Sequence, residues 1–317
     1  MKETWLVTGS SVGLGRSIVE AALAEGHNVV ATARHPRTLD DLASQFPDQL
    51  LAQRLEVTDG RNSRDVVEAT IERFGRLDVL VNNAGFAGAG SIENMPLDLI
   101  EQQFDTNFMG AIHACKAALP TMRAQRQGRI ILISSIGARI ATPGAGIYYA
   151  SKAAVSALAE TLALEVAPLG IKVTAVEPGA MRTRFAEAAS LKVAQFDTAY
   201  DNTVGATVST MRSRDYASFL HDPAGVAAMI LKVAKLGDMP ARILAGEDSY
   251  EMGTGADACR SASAARQFNT TPKTVAKWVE RFRAEGVDGL RDRSSRPLSL
   301  PSQTAPATCA AVEALRR

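Results

Sequence analysis

The fold is decided by the segment TGSSVGLG, residues 8–15 of a chain of 317 residues. It follows a short apolar run at residues 5–7 and precedes an amphipathic stretch at residues 16–25, so it predicts a glycine-rich turn from a strand to a helix. Such glycines allow a tight turn and a close backbone approach to a pyrophosphate, which the N-terminus of the helix attracts. The spacing is GxxxGxG instead of GxGxxG, and a glycine-rich turn without a ligand is the alternative interpretation.

Short apolar runs and amphipathic stretches alternate after this turn. The predicted strands comprise residues 5–8, 28–33, 50–57, 77–81, 129–134, 171–177 and 242–245. Asp59 is the predicted N-cap of a helix that continues to Phe74. Strands that alternate with helices indicate βαβ units, whose right-handed crossovers produce a parallel sheet. The predicted fold class is α/β, a doubly wound parallel sheet of about seven strands with helices on both faces.

The composition excludes several classes of protein. Hydrophobic residues make up 46% of the chain and charged residues 22%, which is typical of a globular protein. No apolar run reaches the roughly 18 residues that a membrane span needs. A predicted strand begins at once, which leaves no room for a signal peptide. Three widely spaced cysteines and four scattered histidines predict neither a disulfide framework nor a metal site, so we expect a cytoplasmic protein.

The charge is unevenly distributed along the chain. Residues 257–317 carry 11 Lys and Arg against 6 Asp and Glu, whereas the remaining 256 residues carry 24 against 28. This asymmetry indicates that the two parts have different histories or partners. We therefore predict two domains, residues 1–256 and a small helical C-terminal tail, residues 257–317.

A tyrosine and a lysine form the candidate catalytic pair. Tyr148 and Lys152 are four residues apart, so they share one face if the segment is helical. A nearby ammonium lowers the pKa of a tyrosine, and a tyrosine so tuned can exchange a proton with an alcohol or carbonyl oxygen. Tyr149 would face about 100° away and is predicted to be a packing residue. A chance pair on a helix is the alternative interpretation.

A serine and an arginine complete the candidates that come from the residues themselves. Ser135 ends a predicted strand 13 residues before Tyr148 and could donate to the same oxygen, with Ser134 as the alternative. Arg34 follows the second strand, where the adenosine ribose of a dinucleotide would lie. An arginine there favours the 2′-phosphate of NADP(H), whereas a carboxylate would favour NAD(H). NAD(H) and a solvated Arg34 are the alternatives.

The chain resembles the short-chain dehydrogenase/reductase family over roughly residues 3–256. The resemblance rests on TGSSVGLG at 8–15, NNAG at 82–85, Asn107, Ser135, the YxxxK of 148–152 and EPGAMRT at 177–183, in the order and spacing of the family. It implies a Rossmann-type fold and hydride transfer at nicotinamide C4, which with Arg34 predicts an oxidoreductase that uses NADP(H) and a small-molecule carbonyl or alcohol substrate. It also implies a homodimer or homotetramer.

The resemblance implies a role for each matched residue. Tyr148 matches the general acid/base, Lys152 the lysine that lowers its pKa and binds the nicotinamide ribose, Ser135 the serine that orients the substrate oxygen, and Asn107 the asparagine that holds a water. The implied cofactor-binding residues are Gly9, Ser11, Gly13, Leu14, Gly15, Arg34, Glu56, Val57, Asn83, Ala84, Gly85, Tyr148, Lys152, Pro178, Gly179 and Thr183.

Two residues depart from the family pattern. Glu56 stands where the family commonly has Asp, so the adenine contact is expected to be longer or to move to the backbone of Val57. Val12 stands where many NADP-preferring members have a basic residue. Arg34 is therefore the main residue that predicts NADP(H) instead of NAD(H).

The tail resembles a different class of protein. Residues 261–268 and 272–285 are predicted helices, and the segment to about residue 297 resembles the N-terminal DNA-binding segment of insertion-sequence transposases. The first helix of a three-helix unit is missing and no acidic catalytic domain follows, so we expect a partial, partly disordered helix-turn-helix-like tail. An in-frame fusion would explain it. The alternative functions are DNA binding through this tail, or a fusion product with impaired reductase activity.

Overall fold

The structure is a computed structural model that describes residues 2–182, 191–213, 220–267 and 271–285. The chain divides into two compact units, Met1–Gly253 and Thr254–Arg317. The predicted domain boundary after residue 256 stays a prediction. The expected partial disorder of the tail also stays one, because residues 268–270 and 286–317 lie outside the described residues.

A parallel sheet of seven strands forms the centre of the first unit, as far as the structure describes the chain. Its strands are β1 (Thr4–Val7), β2 (Asn28–Ala33), β3 (Leu50–Arg54), β4 (Val79–Asn82), β6 (Gly128–Ile133), β7 (Ile171–Pro178) and β9 (Arg242–Ala245). Their order is β3-β2-β1-β4-β6-β7-β9. The short strands β5 (Ala87–Ala89) and β8 (Leu191–Val193) pair in parallel as a second sheet. The predicted doubly wound α/β fold is confirmed, although β3 ends at Arg54 instead of residue 57.

Helices alternate with the strands along the described chain. They are α1 (Gly13–Ala24), α2 (Asp40–Gln45), α3 (Gly60–Phe74), α4 (Leu97–Phe104), α5 (Gly110–Gln125), α6 (Gly146–Val166), α7 (Ala206–Arg212), α8 (Pro223–Ala234), α9 (Glu247–Gln267) and α10 (Pro272–Glu285). The predicted cap of α3 is confirmed, because the Asp59 carboxylate accepts a hydrogen bond from the Arg61 N–H at 2.8 Å. The prediction that a helix begins near residue 261 was wrong, since α9 begins at Glu247.

The core has two layers, one on each face of the sheet. Trp5 and Val7 of β1 pack on the side of α1 and α8, whereas Leu6 packs on the side of α3, α5 and α6. Successive side chains of a strand point to opposite faces, so a strand covered on both faces must be apolar throughout. The three residues are 0–2% exposed. This burial explains why residues 5–7 of β1 are apolar throughout.

Candidate functional site

A cleft of about 1460 Å³ lies at the carboxyl edge of the sheet. Open α/β sheets bind ligands at this edge, where the chain turns from strands to helices. The predicted site residues that line the cleft are Gly9, Ser11, Gly13, Leu14, Arg34, Glu56, Val57, Asn83, Ala84, Gly85, Ser135, Tyr148, Lys152, Pro178 and Gly179. Gly15 and Asn107 are not part of this lining, and Thr183 lies outside the described residues.

The glycine-rich turn forms a cradle at the start of α1, and Gly15 behind it has no space for a side chain. A Cβ on Gly15 would lie 2.3 Å from the Gly9 carbonyl oxygen and 2.4 Å from Asn83 Nδ2. Gly9 and Gly13 have positive φ angles of 67° and 60°, which favour glycine. No side chain caps the N-terminus of α1 and its first turn has no acidic residue. Its first N–H groups therefore suit an anion such as a pyrophosphate.

Thr8 and Asn83 hold this turn against the end of β4. The Thr8 hydroxyl accepts hydrogen bonds from the N–H groups of Asn83 and Ala84 at 2.9 and 3.0 Å. Asn83 Nδ2 donates to the carbonyl oxygens of Thr8 and Gly9 at 2.9 and 3.0 Å. Sequence reasoning missed Thr8 as a site residue, although it is the first residue of the quoted segment.

Lys152 is buried beside the ring of Tyr148. Lys152 is only 4% exposed, and its Nζ donates a hydrogen bond to the Ile133 carbonyl oxygen at 2.8 Å. Nζ lies 5.9 Å from the centre of the Tyr148 ring, one turn earlier on α6. Burial lowers the pKa of Lys152 to about 8, because an ammonium loses hydration there. The predicted pair thus shares one helix face at the cleft.

Asn107 lies behind the cleft in a π-helical turn, Asp105–Met109, that separates α4 from α5. It is 3% exposed, and its Oδ1 accepts from the Phe86 N–H at 2.9 Å. Its Nδ2 donates to the Phe86 carbonyl oxygen and to Ser151 Oγ, both at 3.0 Å. Each amide hydrogen therefore has a protein acceptor, so Asn107 could offer a water only an oxygen atom.

The environments of the two adjacent serines differ. Ser135 Oγ accepts from the Gly137 N–H at 3.0 Å, which leaves its own hydroxyl hydrogen for another acceptor. Ser134 Oγ instead donates to the Lys152 carbonyl oxygen at 2.8 Å, within the protein. This contact favours Ser135 over Ser134 as the residue that donates into the cleft.

Tyr149 packs beneath the turn that follows Ser135. A Cβ on Gly137 would lie 2.1 Å from Tyr149 Cδ1, so the ring lies directly against that glycine. The Tyr149 hydroxyl donates to Thr142 Oγ1 at 3.2 Å. These contacts agree with the prediction that Tyr149 is a packing residue, although Tyr149 is half-buried and also lines the cleft.

The residues expected at the adenosine end are exposed to different degrees. Arg34 is exposed and lines the cleft. The Glu56 carboxylate accepts from the Thr58 hydroxyl at 3.1 Å and from the Thr58 N–H at 3.4 Å. Glu56 thus bonds to its own loop. The next residue, Val57, is buried and lines the cleft beside it.

Asp248 and His221 are cleft residues that sequence reasoning missed. Asp248 Oδ2 accepts from the Ala180 N–H at 2.8 Å, and a Cβ on Gly179 would lie 2.0 Å from the same oxygen. His221 Nε2 lies 3.2 Å from Asp248 Oδ1, and the His221 N–H donates to the Ala180 carbonyl oxygen at 3.0 Å. Both residues lie at least 40 positions from Gly179, so no local signal in the sequence links them to it.

The described residues contain neither a candidate metal site nor a candidate membrane-spanning helix. Within them, no group of three or more His, Cys, Asp or Glu side chains is placed to hold a metal ion. No helix in the same part of the chain is long and apolar enough to cross a membrane.

Comparisons with known proteins agree with this arrangement. Residues 3–194 match the family model described as short chain dehydrogenase. The chain belongs to the short-chain dehydrogenase family. An oxidoreductase of Botryotinia fuckeliana is 39% identical over 264 residues, which cover 83% of this chain and 96% of that protein. The resemblance predicted from the motifs is confirmed.

Solved structures of other proteins have the same fold. A short-chain dehydrogenase from Streptomyces avermitilis is 38% identical, with a TM-score of 0.76 over 84% of this chain and 97% of that chain. A structure titled ElxO with NADP bound is 27% identical, with a TM-score of 0.65 over 77% of this chain and 96% of that chain.

The tail matches a second family model. Residues 258–297 match the model described as helix-turn-helix domain, which confirms the predicted resemblance of this segment. In the described part of the tail, α10 begins after Thr271, whose Oγ1 accepts from the Thr274 N–H at 3.2 Å. This hydrogen bond caps the helix.

Proposed function

We propose that the chain is an NADP(H)-dependent oxidoreductase that interconverts a carbonyl and an alcohol, with Tyr148 as the general acid/base. The observation that carries the proposal is the buried Lys152 ammonium beside the Tyr148 ring, within a cleft that also contains the glycine cradle. A buried cation next to a phenol favours the phenolate. Strongly perturbed titratable groups in a cleft are typical of catalytic sites.

The residues of the cleft fit a nicotinamide dinucleotide. Gly9 and Gly13 of the cradle would hold the pyrophosphate, with Gly15 packed behind them, and Arg34 would pair with the 2′-phosphate of NADP(H). Pro178 and Gly179 line the cleft, and by the family resemblance they would contact the nicotinamide end. When bound, the nicotinamide supplies or accepts a hydride. A solved structure with NADP bound and one in complex with NAD are both similar to this chain, so the choice of NADP(H) over NAD(H) depends on Arg34.

The proton comes from the residues of the chain. In the reductive direction Tyr148 donates its phenol proton to the substrate oxygen, while the Ser135 hydroxyl donates a hydrogen bond to the same atom. The Lys152 ammonium stabilises the phenolate that remains, and the Ile133 carbonyl oxygen fixes the position of Nζ. Asn107 would accept a hydrogen bond from a water that returns a proton to this pair.

Other features of the molecule stay predictions. The family resemblance favours a homodimer or homotetramer, and the cysteine content favours the cytoplasm. DNA binding through the tail is the alternative function. Reversal of Lys273 and Lys277 to Glu in the full chain would remove salt-dependent DNA binding if α10 contacts phosphates. Weak binding that is equal before and after this reversal would argue against a nucleic-acid partner.

The proposal is tested with Tyr148→Phe, and Tyr149→Phe is the matched control. We expect Tyr148→Phe to lower kcat for NADPH-dependent reduction by about 10²–10⁴-fold, because the general acid is lost, with a change of less than about tenfold in the Kd for NADPH, since only one hydroxyl contact is removed. Tyr149→Phe should keep kcat within about threefold, since its hydroxyl only bonds to Thr142. NADPH oxidation is followed with a panel of aldehydes and ketones. Turnover by Tyr148→Phe at the wild-type rate would contradict the role of Tyr148.

A further inference from the structure

A fully buried carboxylate lies behind the cleft at the end of β7. Glu177 is 0% exposed, and its Oε2 accepts from Arg139 Nε at 2.5 Å. Its Oε1 accepts from Arg242 Nε at 2.7 Å and lies 2.6 Å from Arg242 Nη2. A charge buried to this extent needs such partners to offset its lost hydration.

One of these partners belongs to the turn that carries Ser135. A short 3₁₀ turn, Ile136–Ala138, follows Ser135, and the Arg139 N–H closes it by donating to the Ile136 carbonyl oxygen at 2.8 Å. The Ala138 N–H donates to the Ser135 carbonyl oxygen at 2.9 Å. The Arg139–Glu177 bond therefore anchors the far end of the turn whose near end is Ser135.

The same carboxylate contacts the helix that carries Tyr148 and Lys152. Ser156, one turn beyond Lys152 on α6, has its Oγ 2.8 Å from Glu177 Oε1 and 2.8 Å from Ser134 Oγ. Ser134 Oγ in turn donates to the Lys152 carbonyl oxygen at 2.8 Å. Both serines are buried, so these contacts do not compete with solvent.

We propose that Glu177 is a positioning residue, which fixes the Ser135 turn relative to the α6 face of Tyr148 and Lys152. This inference rests on the proposed function. The hydroxyls of Ser135 and Tyr148 must meet at one substrate oxygen, although they lie on the 3₁₀ turn and on α6. Glu177 bonds directly to a residue of each of these two elements. Buried ion pairs add little stability compared with apolar packing, whereas their bonds are directional. A misplacement of about 1 Å can lower a rate by about 10²-fold.

The two arginines provide a matched pair of variants. Both pair with Glu177 and have similar side-chain exposures, 19% for Arg139 and 24% for Arg242, but only Arg139 belongs to the Ser135 turn. We expect Arg139→Met to lower kcat by about 10- to 100-fold, with the Kd of NADPH within about twofold. Arg242→Met should keep kcat within about threefold, although it loses its ion pair with Glu177 and a longer one, at 3.7 Å, with the exposed Glu160 on α6. Glu177→Gln should lower kcat as Arg139→Met does.

A second measurement does not depend on turnover. The Gly137 N–H donates to Ser135 Oγ, so hydrogen exchange at this amide reports on the turn itself. Arg139→Met should accelerate this exchange at least about tenfold, and Arg242→Met should leave it unchanged. Equal effects of the two variants on exchange and kcat, or no effect of Arg139→Met, would overturn the positioning role. A wild-type chain that reduces no carbonyl would instead contradict the proposed function.

Discussion

Replacement of Lys152 by Met should make the protein more stable and inactive. The fold lowers the pKa of this lysine from 10.5 to about 8, because its ammonium is buried. This difference corresponds to a cost of about 3 kcal/mol in the free energy of unfolding near pH 7. Methionine has a similar length and no charge, so the variant avoids that cost. It also loses the hydrogen bond from Nζ to the Ile133 carbonyl oxygen, and this loss cancels about 1 kcal/mol of the gain in stability.

The expected gain of about 2 kcal/mol depends on pH in a defined direction. Below pH 8 the lysine is protonated in both the folded and the unfolded chain, so the whole cost is present. Between about pH 8 and 10.5 the folded protein releases this proton while the unfolded chain keeps it, so the stability of the wild-type protein rises relative to the variant. The advantage of Lys152→Met should therefore decrease steadily above pH 8.

Urea unfolding of both proteins without cofactor, near pH 7 and near pH 9.5, measures this advantage. Lys116→Met is the control, because Lys116 is exposed on α5 and its replacement should change stability by less than about 0.5 kcal/mol at either pH. NADPH-dependent turnover of Lys152→Met should be lost. The reasoning fails if Lys152→Met is less stable than the wild-type protein near pH 7, or if its advantage is the same at both pH values.

Three further changes test the cofactor cradle, the choice of cofactor and a helix cap. Gly15→Ala should weaken NADPH binding at least about tenfold in a fluorescence titration, because its Cβ would collide with the turn. The control Gly225→Ala should leave NADPH binding unchanged, because a Cβ at residue 225 meets nothing within 4 Å. Arg34→Ser should weaken the binding of NADPH about tenfold or more and leave that of NADH unchanged, and an equal loss for both would exclude a contact with the 2′-phosphate. Asp59→Ala should lower the free energy of unfolding by about 1 kcal/mol in urea, with kcat unchanged, and no loss would mean that the cap is unimportant.

The parts of the fold that depend on local pattern were predictable. The run at residues 5–7 is apolar throughout because β1 is covered on both faces, and this pattern distinguishes a buried parallel strand. The glycine-rich segment and the spacing of Tyr148 and Lys152 are likewise local. Ser135 was predictable because the carboxyl ends of parallel strands share one edge.

Contacts between distant residues were not predictable from the sequence. The Asp248 carboxylate binds the Ala180 N–H across 68 positions, and Glu177 binds Arg139 across 38. The π-helical turn was also missed, because Asn107 bonds to Phe86 and Ser151 on other elements and these bonds have no signature within the turn.

The start of α9 was misjudged for a different reason. Gly253 and Gly255 lie within α9, and glycines inside a helix weaken its sequence pattern. The signal for the true start is Gly246, with φ of 108°, followed by Glu247 and Asp248. Acidic residues in a first turn interact favourably with the helix dipole.

The number of residues in the π-helical turn also determines where the Asn107 side chain lies. Each additional residue rotates the following helix by about 100° about its axis, so α5 is out of phase with a straight continuation of α4. With this phase, Ala111, Ala114 and Ala118 of α5 are buried in the core. A one-residue deletion between 105 and 109 would restore regular hydrogen bonding, but it would turn either these alanines or the asparagine away from their present neighbours. The position of the Asn107 amide therefore depends on the number of residues in the π-helical turn. Insertions and deletions in this turn should displace it more than substitutions do.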